Sequence, residues 1–161
     1  VDLTQNVPLA GAGAGLTAAP IAIHTEVGSF VDTFHFSFTG NGWVDASLIT
    51  VYSGQSQQIS FSEATLNGQA LSIGAPDGDG NGTSWISASL PSKLVAGDYT
   101  LIVKGYAGGN LAAGTNGIAA SYSGTFNVLP ASAVPEPQSY AMFIGGLVLV
   151  TAMLGRRRRP S

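Results

Sequence analysis

From Phe34 onward apolar and polar residues alternate strictly: Phe34, Phe36 and Phe38 take one parity, His35 and Ser37 the other. Phe30 and Asp32 share the aromatic parity, and Val31 and Thr33 the opposite one. A period of two marks a strand with one buried face. Gly40-Asn41-Gly42 closes this run, Val44 to Tyr52 reads as the next strand, and Ile59 to Leu66 follows. Asn67-Gly68 is a type I′ hairpin signal leading to Leu71 and Ile73. Trp85 to Leu90 sets Ile86, Ala88 and Leu90 on one face. After the turn Ala96-Gly97-Asp98, the residues Tyr99, Leu101 and Val103 alternate with polar or smaller neighbours. Finally Ala120, Tyr122, Gly124, Phe126 and Val128 oppose Ser121, Ser123, Thr125 and Asn127. About seven or eight short strands, with turn signals between them and no helical stretch before Tyr140, predict an all-β domain. The expected architecture over residues 29–130 is an antiparallel β-sandwich, immunoglobulin-like or jelly-roll-like. Phe34, Phe36, Phe38, Leu101, Val103 and Phe126 are expected in its core.

Residues 1–28 lack this clarity. Pro8 to Pro20 is built of small residues without a hydrophobic period, which predicts a flexible or extended arm. The sharper alternative is an arm that supplies a strand to a neighbouring subunit, since only Lys93 and Lys104 are available to guard the sheet edges. Exchange of that kind need not close, and open fibres are its natural product. Val1 is not an initiator methionine, and the expectation is a chain whose secretory signal peptide has been removed.

Composition narrows the chemistry. Of 161 residues, 45% are hydrophobic and only 9% charged, against about 25% charged in an average domain. Cysteine is absent, which excludes a disulfide framework, a thiol nucleophile and cysteine metal ligands. The formal charge of −3 argues against nucleic acid as a partner. It also hides a segregation. Residues 1–134 hold eight acids and two lysines, a charge of −6, whereas residues 135–161 hold four arginines and one glutamate, a charge of +3.

The tail is a different physical object from the domain. Tyr140 to Gly155 contains no charged residue and ends directly in Arg156, Arg157, Arg158 and Arg159. As a helix its sixteen residues rise about 24 Å, close to the roughly 30 Å of a bilayer core. Gln138, Ser139 and snorkelling arginine stems extend that reach. The reading is a single transmembrane helix over 139–155, with a basic cytoplasmic end at 156–161 and the acidic domain outside. A linker over 131–138 precedes it, and in it Pro135 and Pro137 hold Glu136 in an extended, helix-incompatible backbone. The order Pro135-Glu136-Pro137, apolar run, arginine cluster resembles the PEP-CTERM sorting signal of bacterial exported proteins. What the resemblance implies is handling by an exosortase, which reads that tripeptide. It also implies export to the envelope, surface or extracellular matrix of a Gram-negative bacterium that makes exopolysaccharide and biofilm.

Phe30-Val31-Asp32-Thr33-Phe34 resembles the motif that names the FxDxF family of these proteins, with Phe30, Asp32 and Phe34 matching it. Ala96 to Leu101 and Gly124 to Val128 are similar to that family's closing strands. The family has no assigned enzymatic activity, so the resemblance implies location more than chemistry. On parity alone Asp32 points toward the core, where a carboxylate needs hydrogen-bond donors or a cation. The expectation is that it caps a turn or holds a loop through backbone N–H groups.

Other candidate chemistry is sparse. Asp77-Gly78-Asp79-Gly80-Asn81-Gly82 matches the first half of a calcium loop, with oxygens at alternate positions from Asp77, Asp79 and Asn81. Ala88 stands where the bidentate glutamate belongs, so a plain solvated turn is the competing reading. His24 and His35 are the only histidines, neither lies in a zinc-protease pattern, and His35 is expected on the surface. No nucleophile elbow occurs. The expected protein is therefore a non-catalytic exported surface or matrix protein, anchored by its tail until sorting and capable of forming homo-oligomers or fibres. The alternative is a carbohydrate- or calcium-binding module, with Trp43, Trp85 and tyrosines as sugar platforms.

Overall fold

Alternating residues give strands, and the strands form two facing sheets. The computed structural model describes residues 2–11, 15–38, 41–79 and 83–131. In chain order the strands are β1 (Leu3–Val7), β2 (Leu16–Ala18), β3 (Ile21–Glu26), β4 (Gly28–Phe36), β5 (Asn41–Tyr52) and β6 (Ile59–Leu66). Then come β7 (Gln69–Ala70), β8 (Ser72–Ile73), β9 (Asp77–Gly78), β10 (Ser84–Ala96), β11 (Tyr99–Ala107) and β12 (Asn116–Pro130). The first sheet runs β1-β4-β11-β6-β7. The second runs β2-β12-β5-β10-β8, with β3 also paired to β12 and β9 to β10. Each long strand from β4 to β12 lies in the opposite sheet from the long strand before it.

The predicted alternation decides which side chains the sheets bury between them. Phe34, Leu101, Val103 and Phe126 are wholly buried, and Phe36 nearly so. Phe36 of the first sheet stacks on Phe126 of the second, with ring centroids 4.1 Å apart and planes 17° from parallel. Asn67 and Gly68 have φ of 46° and 77°, the two positive values that a type I′ hairpin demands. That hairpin joins β6 to β7, and Leu71 then carries the chain across to β8 in the second sheet. Phe38 lies past the end of β4, half-buried, and packs on Tyr99 at 5.7 Å.

Three expectations require correction. First, residues 1–28 are not a separate arm: β1, β2 and β3 all pair within the chain's own sheets, and the compact unit runs Val1–Ala131. Its small residues misled because an edge strand against a closely packed interior needs small inward side chains, here Ala18 and Ala22. Second, the sheets are not wholly antiparallel, since β1 runs parallel to β4 in the register Leu3 with Asp32 to Val7 with Phe36. Third, β10 continues to Ala96, well beyond Leu90, through a register shift between Leu90 and Lys93. Pro91 stands at that shift, where a residue without an N–H is tolerated. The linker, the apolar segment and the arginine cluster lie outside the described residues. Among the described residues no helix is long and apolar enough to cross a membrane.

The Phe36–Phe126 stack joins the two sheets, so removing one ring leaves a cavity between them. Phe126→Ala is expected to lower unfolding free energy by about 3–5 kcal/mol. Val31→Ala, on an exposed side chain of the first sheet, is expected to stay within about 0.5 kcal/mol. Urea unfolding followed by tryptophan fluorescence measures both.

Candidate functional site

Parity on three strands brings three polar side chains to one place in the interior. On β4 the inward residues are Phe30, Asp32 and Phe34; on β3 they are Ala22 and His24; on β12 they include Tyr122. Strands β3 and β12 are neighbours in the second sheet, while β4 faces them from the first. Asp32 is fully buried, and His24 and Tyr122 are 4% and 2% exposed.

Every donor available there converges on the Asp32 carboxylate. The Tyr122 hydroxyl donates to Oδ2 at 2.6 Å, and His24 Nε2 lies 3.0 Å from the same oxygen. An acceptor-only carboxylate assigns the proton to Nε2. The Leu3 amide donates to Oδ1 at 3.1 Å. One carboxylate thus ties β4 to β1 beside it and to β3 and β12 across the interior. The bond is reciprocated one residue earlier on both strands, since the Val31 amide donates to Asp2 Oδ1 at 2.9 Å.

The aromatic residues of the motif wall this cluster off. The Phe30 ring stacks on His24 at 4.1 Å and on Tyr122 at 5.9 Å. Phe34 and Phe61 meet Tyr122 edge-on at 6.3 and 5.3 Å. In a strand, residues two before and two after share one face, so Phe30 and Phe34 flank Asp32 and exclude water from it. Gly105 of β11 makes room for Phe30: a Cβ there would stand 2.7 Å from Phe30 Cζ, and closer still to the Ser60 carbonyl oxygen. Burial, then the hydrogen bond to Asp32 and the charge of its carboxylate, hold the Tyr122 phenol protonated well above its ordinary range. It is a standing donor.

Taken as chemistry, an aspartate, a histidine and a hydroxyl within hydrogen-bond reach suggest proton transfer. Here the geometry directs all of them at one another. A groove of about 480 Å³ runs beside β1 and β3, lined by Leu3, Gln5, Asn6, Val7, Ile21 and Ile23 among others, and none of the three cluster residues lines it. The arrangement can hold strands together, and it does so through charge-assisted hydrogen bonds of roughly 1.5–3 kcal/mol each.

The other sequence candidates are scattered. Asp77 and Asp79 are exposed; Asp77 Oδ1 accepts the Gly78 amide at 2.8 Å and Asp79 Oδ1 the Thr83 amide at 3.2 Å. The first bond is local to β9 and the second links the two sides of the hairpin between β9 and β10, while Asn81 lies outside the described residues. Among the described residues no group of three histidine, cysteine or carboxylate side chains could hold a metal ion. His35 is exposed, with Nδ1 3.2 Å from Thr100 Oγ1. Pro135, Glu136, Pro137 and Arg156 to Arg159 lie outside the described residues. The chain matches no family model, no curated protein and no solved structure. The parity of Phe30 and Phe34 places Asp32 inward, and of the backbone donors expected for it the Leu3 amide is one. His24 and Tyr122 as its partners were missed, although both sit on the inward parity of their strands.

Removing the carboxylate strands three donors. Asp32→Ala is expected to cost about 3–5 kcal/mol of stability. It should also make the β1 segment, Leu3–Val7, more susceptible to proteolysis than in the parent, as limited proteolysis with mass detection would show. Gly105→Ala should cost about 1–3 kcal/mol by displacing Phe30, read from the urea midpoint.

Proposed function

We propose that this chain is a non-catalytic, exported envelope or matrix protein of a Gram-negative bacterium, delivered by an exosortase that reads its C-terminal signal. The observation that carries the reading is the order of three features: Pro135-Glu136-Pro137, an uncharged run to Gly155, and Arg156 to Arg159. The apolar run is the single membrane helix that retains the chain until sorting, with the arginines inside. The structural reading is supported by the Asp32 carboxylate, whose hydrogen bonds all hold strands together. The alternation of successive long strands between sheets favours jelly-roll-like wrapping over the immunoglobulin pattern. Within the chain β1, β2 and β3 fill edges of its own sheets, the same pairings that an exchanged arm would make in a neighbour.

Replacing Pro135, Glu136 and Pro137 by alanine in an exosortase-bearing host tests the reading. The expected result is an unprocessed species that stays in the membrane, distinguished by intact mass from a processed parent. An altered chain that matures with the parent's mass and location contradicts it.

A further inference from the structure

The two outer faces of the domain differ in kind. Among the described residues eight large hydrophobics are exposed, and seven of them lie on the outer face of the second sheet. The first sheet presents Val31 alone, beside His35, Thr33 and the ion pair of Lys104 with Glu63 at 2.9 Å. On the second sheet the exposed residues form two clusters. At one end Trp43 pairs in register with Leu94 on one side and Leu129 on the other. At the other end Ile21 and Ile23 of β3 and Ile49 and Val51 of β5 flank Ser121 and Ser123, enclosing a groove of about 240 Å³. Between the clusters lie small polar residues, with Ser47 and Thr125 opposite each other. Along β5 and β12 the outward residues include one charge, Asp45, and it is satisfied by Asn127 Nδ2 at 2.7 Å.

Two exposed apolar clusters on one outer sheet face mark an interaction site. We infer that a second copy of this chain covers it, the two outer faces of the second sheets packing against each other. Three observations select that occupant. The face is nearly uncharged on a domain that otherwise carries net negative charge, so it is the surface on which two like-charged copies meet without repulsion. Its area suffices: four strands about 4.8 Å apart and some ten residues at about 3.4 Å each span roughly 650 Å², near the ≈800 Å² per partner of a stable interface. Its pattern is also self-complementary, with apolar clusters at both ends and polar residues between. A two-fold axis crossing the strands at Ser47 lays the Trp43 cluster of each copy on the isoleucine cluster of the other. It keeps the two Asp45 carboxylates about 14 Å apart along the strands. Such a contact is isologous and closes as a dimer. It depends on residues 21–129 and is independent of the sorting reading.

The absence of cysteine gives a direct test on the full chain. Ser47→Cys, treated with a short bis-maleimide able to bridge sheets about 10 Å apart, should yield a covalent dimer. Ser62→Cys, exposed on the first sheet, should remain monomeric. Adding Ile49→Lys to Ser47→Cys should lower the dimer yield by about tenfold or more, the effect of losing ~1.4 kcal/mol. Equal cross-linking of both cysteine variants would assign association to the tail and overturn the proposal. So would a Ser47→Cys chain that stays monomeric, including one whose tryptophan fluorescence responds to phospholipid vesicles or a linear glucan. A dimer yield unmoved by Ile49→Lys, with the urea midpoint unchanged, is equally fatal to it.

Discussion

A carboxylate inside a protein must be met by donors or it destabilises the fold by several kcal/mol. Asp32 sits in that position with no exposed surface at all. Its requirement explains features that look unrelated along the chain. A histidine stands on the inward face of β3, a tyrosine on the inward face of β12, and the first strand adopts a parallel register that aims the Leu3 amide at Oδ1. Phe30 and Phe34 complete the enclosure, and Gly105 is the position that lets Phe30 come close enough. Among the described residues no buried side-chain nitrogen or oxygen lacks a hydrogen-bond partner. A satisfied network of this kind fixes one arrangement of the strands, because a slip by one residue would turn Asp32 and both phenylalanines outward together.

Strand parity made much of the fold legible in advance. The Phe34–Phe36 run, the stretch from Ile59 to Leu66, the Asn67-Gly68 turn and the inward face of β12 all follow from period two and turn chemistry. The first three strands do not, and the reason is physical. In β3 the large residues Ile21 and Ile23 face outward, while Ala22 and His24 face the interior. A reading that sends the largest apolar side chains inward inverts that strand. β5 has the same character at its end, where Ile49 and Val51 are exposed and Leu48 and Thr50 are buried. Both exceptions lie on one face of one sheet, which is where a second copy is inferred to pack. The partners of Asp32 were illegible for another reason: they stand 8 and 90 residues away, and only the pairing of β3 with β12 brings them together.

The chain joins two objects with separate logic. Residues 1–131 form an uncommonly uncharged β domain whose interior polar groups serve cohesion, and the remainder carries a sequence pattern suited to membrane retention and recognition.

The central claim is that Asp32 and Tyr122 act as one unit joining the two sheets. A double-mutant cycle with Asp32→Asn and Tyr122→Phe, measured by equilibrium urea unfolding, tests it most directly. Residues in one buried network couple by about 0.5–3 kcal/mol. The account predicts a coupling of at least ~1 kcal/mol, given a charge-assisted bond of 2.6 Å away from water. Additive losses, with a coupling indistinguishable from zero, would contradict it.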